Sequence, residues 1–200
     1  MVAATLGLSG AVLQGYLRTP LAEPALIGVS ASASLGAVLA IYTGLSAVFP
    51  PALPLAALAA SVVAVLIVQA MAGRRGSVLT LILAGVAVSS FAGAMTSLAL
   101  NLSSNPFAAL EIMFWMLGSL TDRSMTHVWL ALPFMLAGWA ALLTLGRALD
   151  ALTLGGDTAA SLGVDMRRVQ FLAVFGTAAS VGAATAVTGA IGFVGLVVPH

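Results

Sequence analysis

The sequence predicts an all-α protein, a polytopic bundle of about six transmembrane helices, and three observations favour this fold class. Hydrophobic residues make up 61% of the 200 residues and charged residues only 6%, whereas a typical soluble domain carries about 25% charged residues. So few charges could not wet the exterior of a soluble protein. The charges also fall in clusters, and the segments between clusters are continuously apolar rather than alternating, which favours helices over a barrel. We expect one transmembrane domain over residues 1–200.

The gaps between charge clusters define the individual spans. Glu23 and Arg74 bracket fifty residues without a charge, and one helical crossing needs roughly 20. The run must therefore fold back, and the prolines within 49–54 predict the turn. The same reasoning along the chain predicts spans near residues 1–17, 26–48, 53–72, 78–100, 126–146 and 169–190.

The arginines predict the orientation of these spans. The loops 18–25, 73–77 and 147–168 hold six of the seven arginines, whereas 49–54 and 101–125 hold only Arg123. Because arginine-rich loops stay in the cytoplasm, the first three loops are expected to be cytoplasmic. Met1 would then lie outside without a signal peptide, and the last residues carry no polar tail. We therefore expect truncation at both ends.

Residues 105–121 lie in a predicted outer loop. Asn105 suits a helix cap and Pro106 the first helical position, which predicts a short helix lying at the membrane interface, where Trp115 belongs. An irregular loop is the alternative.

Several kinds of site are not expected. The absence of cysteine excludes disulfides and thiol catalysis, and a net charge of +1 gives no reason to expect nucleic-acid binding. His127 and His200, the two histidines, lie too far apart in sequence to predict a metal site. No catalytic residue or cofactor is predicted.

No ionisable residue lies near the middle of a predicted span, and ion-coupled carriers usually keep such groups there. A pathway without ionisable groups indicates a passive pore or a carrier that takes its energy from elsewhere.

The loop 147–168 carries a second pattern. Short helical stretches are broken at Gly155–Gly156 and at Gly163, and Asp157 is a candidate cap for a helix over Thr158–Leu162. Two short helices that are apolar on one side would form a docking surface for a partner. An ordinary amphipathic connector is equally compatible with the spacing.

Three glycines at intervals of three, Gly189, Gly192 and Gly195, favour close helix packing. They do not form a phosphate loop, because no Lys-Ser/Thr follows them.

Taken together, five segments resemble the motifs of one family. The first runs from Gly10 to Ser30 and includes Gln14, Pro20, Pro24 and Gly28. The others are Leu83–Ala87, Phe114–Ser119, Leu154–Gly163 and Gly189–His200. In this order they resemble the FecCD/BtuC-type permeases of importers for iron-siderophores, haem and vitamin B12. The chain departs from the pattern at Thr19, where Asn is usual, and at Gly156, where an acid is common.

The resemblance implies the membrane subunit of an ATP-driven (ABC) importer that carries an iron-siderophore, haem or cobalamin-type chelate across the bacterial inner membrane. It implies ten spans per subunit, of which this chain would cover about the second to the seventh. It also implies a second permease subunit, most simply in a homodimer, two ABC ATPase subunits that hydrolyse the ATP, and a periplasmic or lipoprotein substrate-binding protein. The subunit itself would not be an enzyme.

The resemblance also assigns roles to residues. The segment that couples to the ATPases would include Leu154, Gly155, Asp157, Ala159, Leu162 and Gly163. The translocation pathway would be lined from span 78–100 by Ser89, Ser90, Thr96 and Ser97. Structural motif positions would be Gln14, Pro20, Pro24, Gly28, Gly189, Gly192, Gly195, Pro199 and His200.

Two alternatives remain open at this stage. An ATP-independent secondary carrier or channel is the first, although the missing membrane ionisables count against a carrier and the structured loop 152–165 counts against a channel. A nonfunctional truncated gene product is the second.

Overall fold

A computed structural model describes residues 1–49, 51–73, 78–103, 105–121 and 124–199. Four features of the sequence lie outside these residues: the arginines at 74 and 75, the Asp122–Arg123 pair, and His200.

All regular secondary structure in the described ranges is helical, which confirms the all-α fold class. A 3₁₀ turn covers Pro24–Ile27. The α-helices are α1 (Val2–Leu17), α2 (Val29–Tyr42), α3 (Leu45–Val48), α4 (Ala52–Ala72), α5 (Val78–Leu102), α6 (Pro106–Leu117), α7 (Met125–Leu143), α8 (Gly146–Thr153), α9 (Gly156–Ser161), α10 (Met166–Thr188) and α11 (Val194–Val197).

Four of these helices, α4, α5, α7 and α10, are long and apolar enough to cross a membrane. The helices α1, α2 and α6 are apolar but shorter. Large apolar side chains cover the exterior, for example Leu66, Phe91 and Trp129, as expected of a surface that faces lipid. The chain is therefore a multi-pass membrane protein, as the composition predicts.

The structure divides the predicted span 26–48. The α1 helix ends at Arg18, whose φ is 52°, and a non-α-helical segment leads to the 3₁₀ turn. Gly28 then takes a left-handed conformation with φ of 81° and donates from its backbone N–H to the Ala25 carbonyl at 3.0 Å. Since few residues other than glycine adopt this conformation without strain, α2 begins at Val29. It ends at Tyr42 rather than continuing to 48.

The α10 helix lies at the centre of the bundle and packs against α1, α2, α4 and α7. Small residues allow the close approach. A Cβ on Gly138 would lie 2.6 Å from the carbonyl oxygen of Gly176, and a Cβ on Gly182 would overlap the hydroxyl of Ser61. The Ser180 hydroxyl lies 3.2 Å from that of Ser9, so these two buried hydroxyls are paired across α1 and α10.

The predicted short helix in 105–121 is α6. The side chain of Asn105 accepts a hydrogen bond from the Phe107 amide at 3.0 Å, with Pro106 at the first helical position. The helix ends at Gly118, whose φ is 67°. The cap and proline signals therefore identified this helix correctly.

Candidate functional site

The first and last motifs meet where α11 packs on α1. A Cβ on Gly10 would overlap the carbonyl oxygen of Gly195, and a Cβ on Gly195 would lie 2.7 Å from Cδ of Pro24. The three residues lie 185 positions apart at most in the sequence, because α10 returns the chain to α1. Two bare backbones are therefore in contact here, and a larger residue would separate them.

Two hydrogen bonds close the same contact. Gln14 donates from Nε2 to the carbonyl oxygen of Leu196 at 3.2 Å. The backbone N–H of Phe193, a non-glycine residue with φ of 66°, donates to Oε1 of Glu23 at 3.2 Å. Irregular backbone within an apolar bundle needs such partners. We call Gly10, Gln14, Glu23, Pro24 and Gly195 the motif junction.

Glu23 was not among the sequence-predicted site residues. The signal that could have identified it is a lone acid followed by fifty residues without a charge. Its partner is 170 residues away, so the sequence alone did not show what the carboxylate does.

The motif Leu83–Ala87 contacts the 3₁₀ turn. A Cβ on Gly85 would overlap the carbonyl oxygen of Leu26, and a Cβ on Gly28 would lie 3.1 Å from the carbonyl oxygen of Gly85. The Ser89 hydroxyl donates to the Ala25 carbonyl at 3.4 Å. The break before α2 is thus held against α5.

The motif Phe114–Ser119 contacts the end of α10. The Ser119 amide donates to the Thr188 carbonyl at 2.7 Å, and a Cβ on Gly189 would overlap the carbonyl oxygen of Trp115. Four of the five motifs therefore join helices through backbone contacts rather than forming a reactive centre. Pro20 and Gly192 are exposed and Pro199 is half-buried. A Cβ on Gly192 would lie 3.8 Å from Oε1 of Glu23, so this glycine lies at the edge of the junction.

The fifth motif, Leu154–Gly163, spans the turn between α8 and α9 and the end of α9. Leu152 and Ala159 are buried in the bundle core, whereas Leu154 and Leu162 are 66% and 64% exposed. Gly155 and Gly163 take positive φ values of 115° and 85°, which fix the turns on either side of α9. We call residues 146–162, which include both exposed leucines, the α8–α9 segment.

The expected cap at Asp157 is wrong. The α9 helix begins at Gly156 with Gly155 before it, so Asp157 lies inside the first turn and its side chain caps nothing. The cap that sequence reasoning missed is Asp165, whose carboxylate accepts from the amides of Arg167 and Arg168 at 3.0 and 3.2 Å. With Gly155 as the residue before the helix, α9 starts at Gly156, two residues earlier than the Thr158 start that the Asp157 signal indicated.

The α8–α9 segment sits on the adjoining ends of α1 and α10. A Cβ on Gly156 would lie 3.8 Å from Nη2 of Arg18, and a cavity of about 340 Å³ between them is also lined by Tyr16, Leu152 and Met166. The α8–α9 segment therefore borders the ends of both helices.

The four predicted pathway residues on α5 do not share one face. Thr96 is buried and Ser89 half-buried against the 3₁₀ turn, whereas Ser90 and Ser97 are exposed. The seven-residue spacing of the exposed pair places both on one stripe of the helix. Gly93 and Asn101 extend this stripe. A Cβ on Gly93 would meet nothing within 4 Å.

Comparison with known proteins agrees with this arrangement. The family model described as the FecCD transport family matches residues 1–200. The chain is 41% identical over its whole length to the uncharacterized ABC transporter permease protein YvrB of Bacillus subtilis, covering 58% of that protein. It is 40% identical over its whole length to the cobalamin import system permease protein BtuC of Halobacterium salinarum, covering 53% of it.

A solved structure of an inward-facing ABC transporter assigned to the metal-chelate type superposes with a TM-score of 0.89 at 32% identity. The match covers 98% of this chain and 63% of the other. The chain thus spans rather more than half the length of the relatives it matches. With a family match over every residue and the family's five motifs in order, the chain belongs to the FecCD transport family.

Proposed function

We propose that this chain is the membrane-spanning permease part of an ATP-driven importer for a metal chelate of the iron-siderophore, haem or cobalamin type. The observation that carries the proposal is the α8–α9 segment: Leu152 and Ala159 fix it to the bundle, while Leu154 and Leu162 point two large apolar side chains outward. An exposed apolar pair on a short, anchored helical segment suits docking into the cleft of a partner.

The partner in this proposal is an ABC ATPase, with one copy under each of two permease subunits. Closure of the ATPases on ATP would push the α8–α9 segment. Because the segment rests on Arg18 at the end of α1 and leads through Asp165 into α10, the push would tilt both helices. Rigid-body rocking of packed helices is a known way to alternate access.

The pathway in this proposal runs along the exposed stripe of α5. Ser90, Gly93, Ser97 and Asn101 give it small and polar groups, and large apolar side chains such as Phe91 flank them. A bulky chelate with apolar and polar surface needs weak contacts of both kinds. A second permease subunit would face this stripe, and a substrate-binding protein would deliver the chelate at the α6 end.

The placement in the membrane follows from the same proposal. Six crossings would be made by α1, by α2 with its flanking turns, and by α4, α5, α7 and α10, in the bacterial plasma membrane. The loops 18–25, 73–77 and 147–168 would then be cytoplasmic, which places the α8–α9 segment on the side where ATP is available.

Crosslinking tests the proposal directly. Because this chain has no native cysteine, only an introduced cysteine in it can form the disulfide. Ala160→Cys, at an exposed position on α9, would be placed in the full-length protein and co-expressed with its ATPase carrying single cysteines around the cleft. We expect a disulfide whose yield changes with ATP. The control is Phe107→Cys, exposed on α6, which should give no such crosslink.

If Ala160→Cys stays uncrosslinked and freely labelled under all nucleotide conditions, the α8–α9 segment is an ordinary connector. That result would favour an ATP-independent carrier or channel instead.

A further inference from the structure

A cavity of about 330 Å³ lies between the last turns of α4 and the first turns of α10, away from the motif junction and the α8–α9 segment. Its lining residues are Gln69, Ala70, Gly73, Arg167, Gln170 and Phe171. The polar side chains among them are two carboxamides and one guanidinium, and the residues described around the cavity include no carboxylate. Hydrogen-bond donors therefore dominate its polar chemistry.

The two carboxamides have unused donors. Gln170 is 8% exposed, and its Nε2 is buried without a hydrogen-bond partner among the residues that the structure describes. The Nε2 of Gln69 is likewise buried and has no hydrogen-bond partner among those residues. A buried donor left without an acceptor costs about 1–3 kcal/mol. Two such donors lining one cavity favour an external ligand that brings acceptor oxygens.

The charge at the cavity favours an anion. Arg167 adds a guanidinium, and both it and Gln170 lie in the first turns of α10, where a 23-residue helix presents the positive end of its dipole. The nearby acid, Asp165, caps this helix and lines a different cavity, between α7, α8 and α10. A phosphate group, with several oxygens and a geometry that guanidinium matches, fits this set of donors.

The surroundings of the cavity favour a lipid as the carrier of that phosphate. Phe171 lines the cavity and is half exposed, and its ring stacks on that of Phe175 one turn further along α10, with centroids 5.7 Å apart. Leu66, one turn before Gln69 and Ala70 on the same face of α4, exposes another apolar side chain. The ends of two membrane-crossing helices lie at the height of the lipid headgroups, so a headgroup in the cavity would leave its acyl chain along these apolar side chains.

We propose that the cavity between α4 and α10 binds the phosphate of an anionic phospholipid, with donation from Gln69 Nε2, Gln170 Nε2 and the Arg167 guanidinium. The lipid would hold the ends of α4 and α10 together. This inference needs only a membrane protein with these helices, and it does not depend on the substrate or on ATP.

The test uses the full-length protein in detergent and measures thermal unfolding with three probes: dioctanoyl phosphatidylglycerol, dioctanoylglycerol, which lacks the phosphate, and inorganic phosphate. We expect stabilisation by the phospholipid only. Equal stabilisation by inorganic phosphate would overturn the lipid as the source, and equal stabilisation by dioctanoylglycerol would overturn the phosphate site altogether.

Two adjacent arginines provide a matched pair of variants. Arg167→Ala should weaken the phospholipid effect about tenfold in concentration, the loss expected when a charge-assisted hydrogen bond is removed. Arg168→Ala should leave it unchanged, because Arg168 lines the other cavity. Gln170→Leu should weaken it as well, with Gln69→Leu as the second variant if Gln170→Leu does not fold. A phospholipid effect that is the same in all four variants and in the unchanged protein would contradict the proposal.

Discussion

Gly10 and Gly93 both lie inside apolar helices, yet the space beside them differs. A Cβ at 10 would overlap the Gly195 carbonyl, whereas a Cβ at 93 would meet nothing within 4 Å. We expect Gly10→Ala to lower the free energy of unfolding by about 1–3 kcal/mol, as overpacking does. Gly93→Ala should be neutral or stabilise by up to about 1 kcal/mol, because alanine favours the helix. Thermal unfolding in detergent checks both, and equal effects would contradict the motif junction.

Gly156 stands beside Arg18 at the start of α9. We expect Gly156→Asp to stabilise the protein by about 1 kcal/mol. The substitution removes a glycine from a helix, adds a carboxylate to the N-terminal turn and places it within reach of the Arg18 guanidinium. Repeating the substitution in an Arg18→Gln background isolates the contribution of the ion pair between the introduced carboxylate and Arg18 to this gain in stability. If the gain is the same in both backgrounds, the contact between α9 and the end of α1 contributes nothing.

Among the elements, α9 and α10 each begin near an aspartate, but only one aspartate is a cap. Asp165→Ala should cost about 0.5–2 kcal/mol because two amides of α10 lose their acceptor. Asp157→Ala should stay within about 0.5 kcal/mol, as is usual for an exposed side chain without a partner. Unfolding of the two variants side by side checks this, and a larger loss from Asp157→Ala would restore the capping role predicted from the sequence.

The α5 stripe can be tested as an element of the pathway. Ser90 and Leu136 lie near the middle of α5 and of α7, and both are exposed. If Ser90 faces a water-filled path and Leu136 faces lipid, a hydrophilic maleimide should label Ser90→Cys and leave Leu136→Cys largely unmodified, because the thiolate forms only in a polar surrounding. Labelling of neither or of both would remove the stripe from the pathway.

For the molecule as a whole, apolar runs and charge clusters were sufficient to predict a helical membrane bundle, because lipid leaves the backbone few other choices. The break at Gly28 was not predictable from the charge clusters, since both sides of it belong to one run without a charge. The motif junction was not predictable from spacing either, because Glu23 and Phe193 meet only once α10 has brought the chain back. The α8–α9 segment was predictable in outline from its glycines, but its helix starts depended on which residue took the positive φ.

The central claim of the proposed function is that the partner ATPases drive the movement of this bundle through the α8–α9 segment. Uptake into proteoliposomes tests this claim most directly. The full-length permease would be reconstituted with its ATPase and binding protein, and accumulation of an iron-siderophore or cobalamin would be followed with and without ATP. We predict ATP-dependent uptake that falls at least about tenfold in the Leu154→Ser, Leu162→Ser double variant, as expected when about 1.4 kcal/mol of apolar docking is lost. Its thermal unfolding should stay unchanged, because both leucines are exposed. Uptake that needs no ATP, or that the double variant leaves intact, would contradict the account.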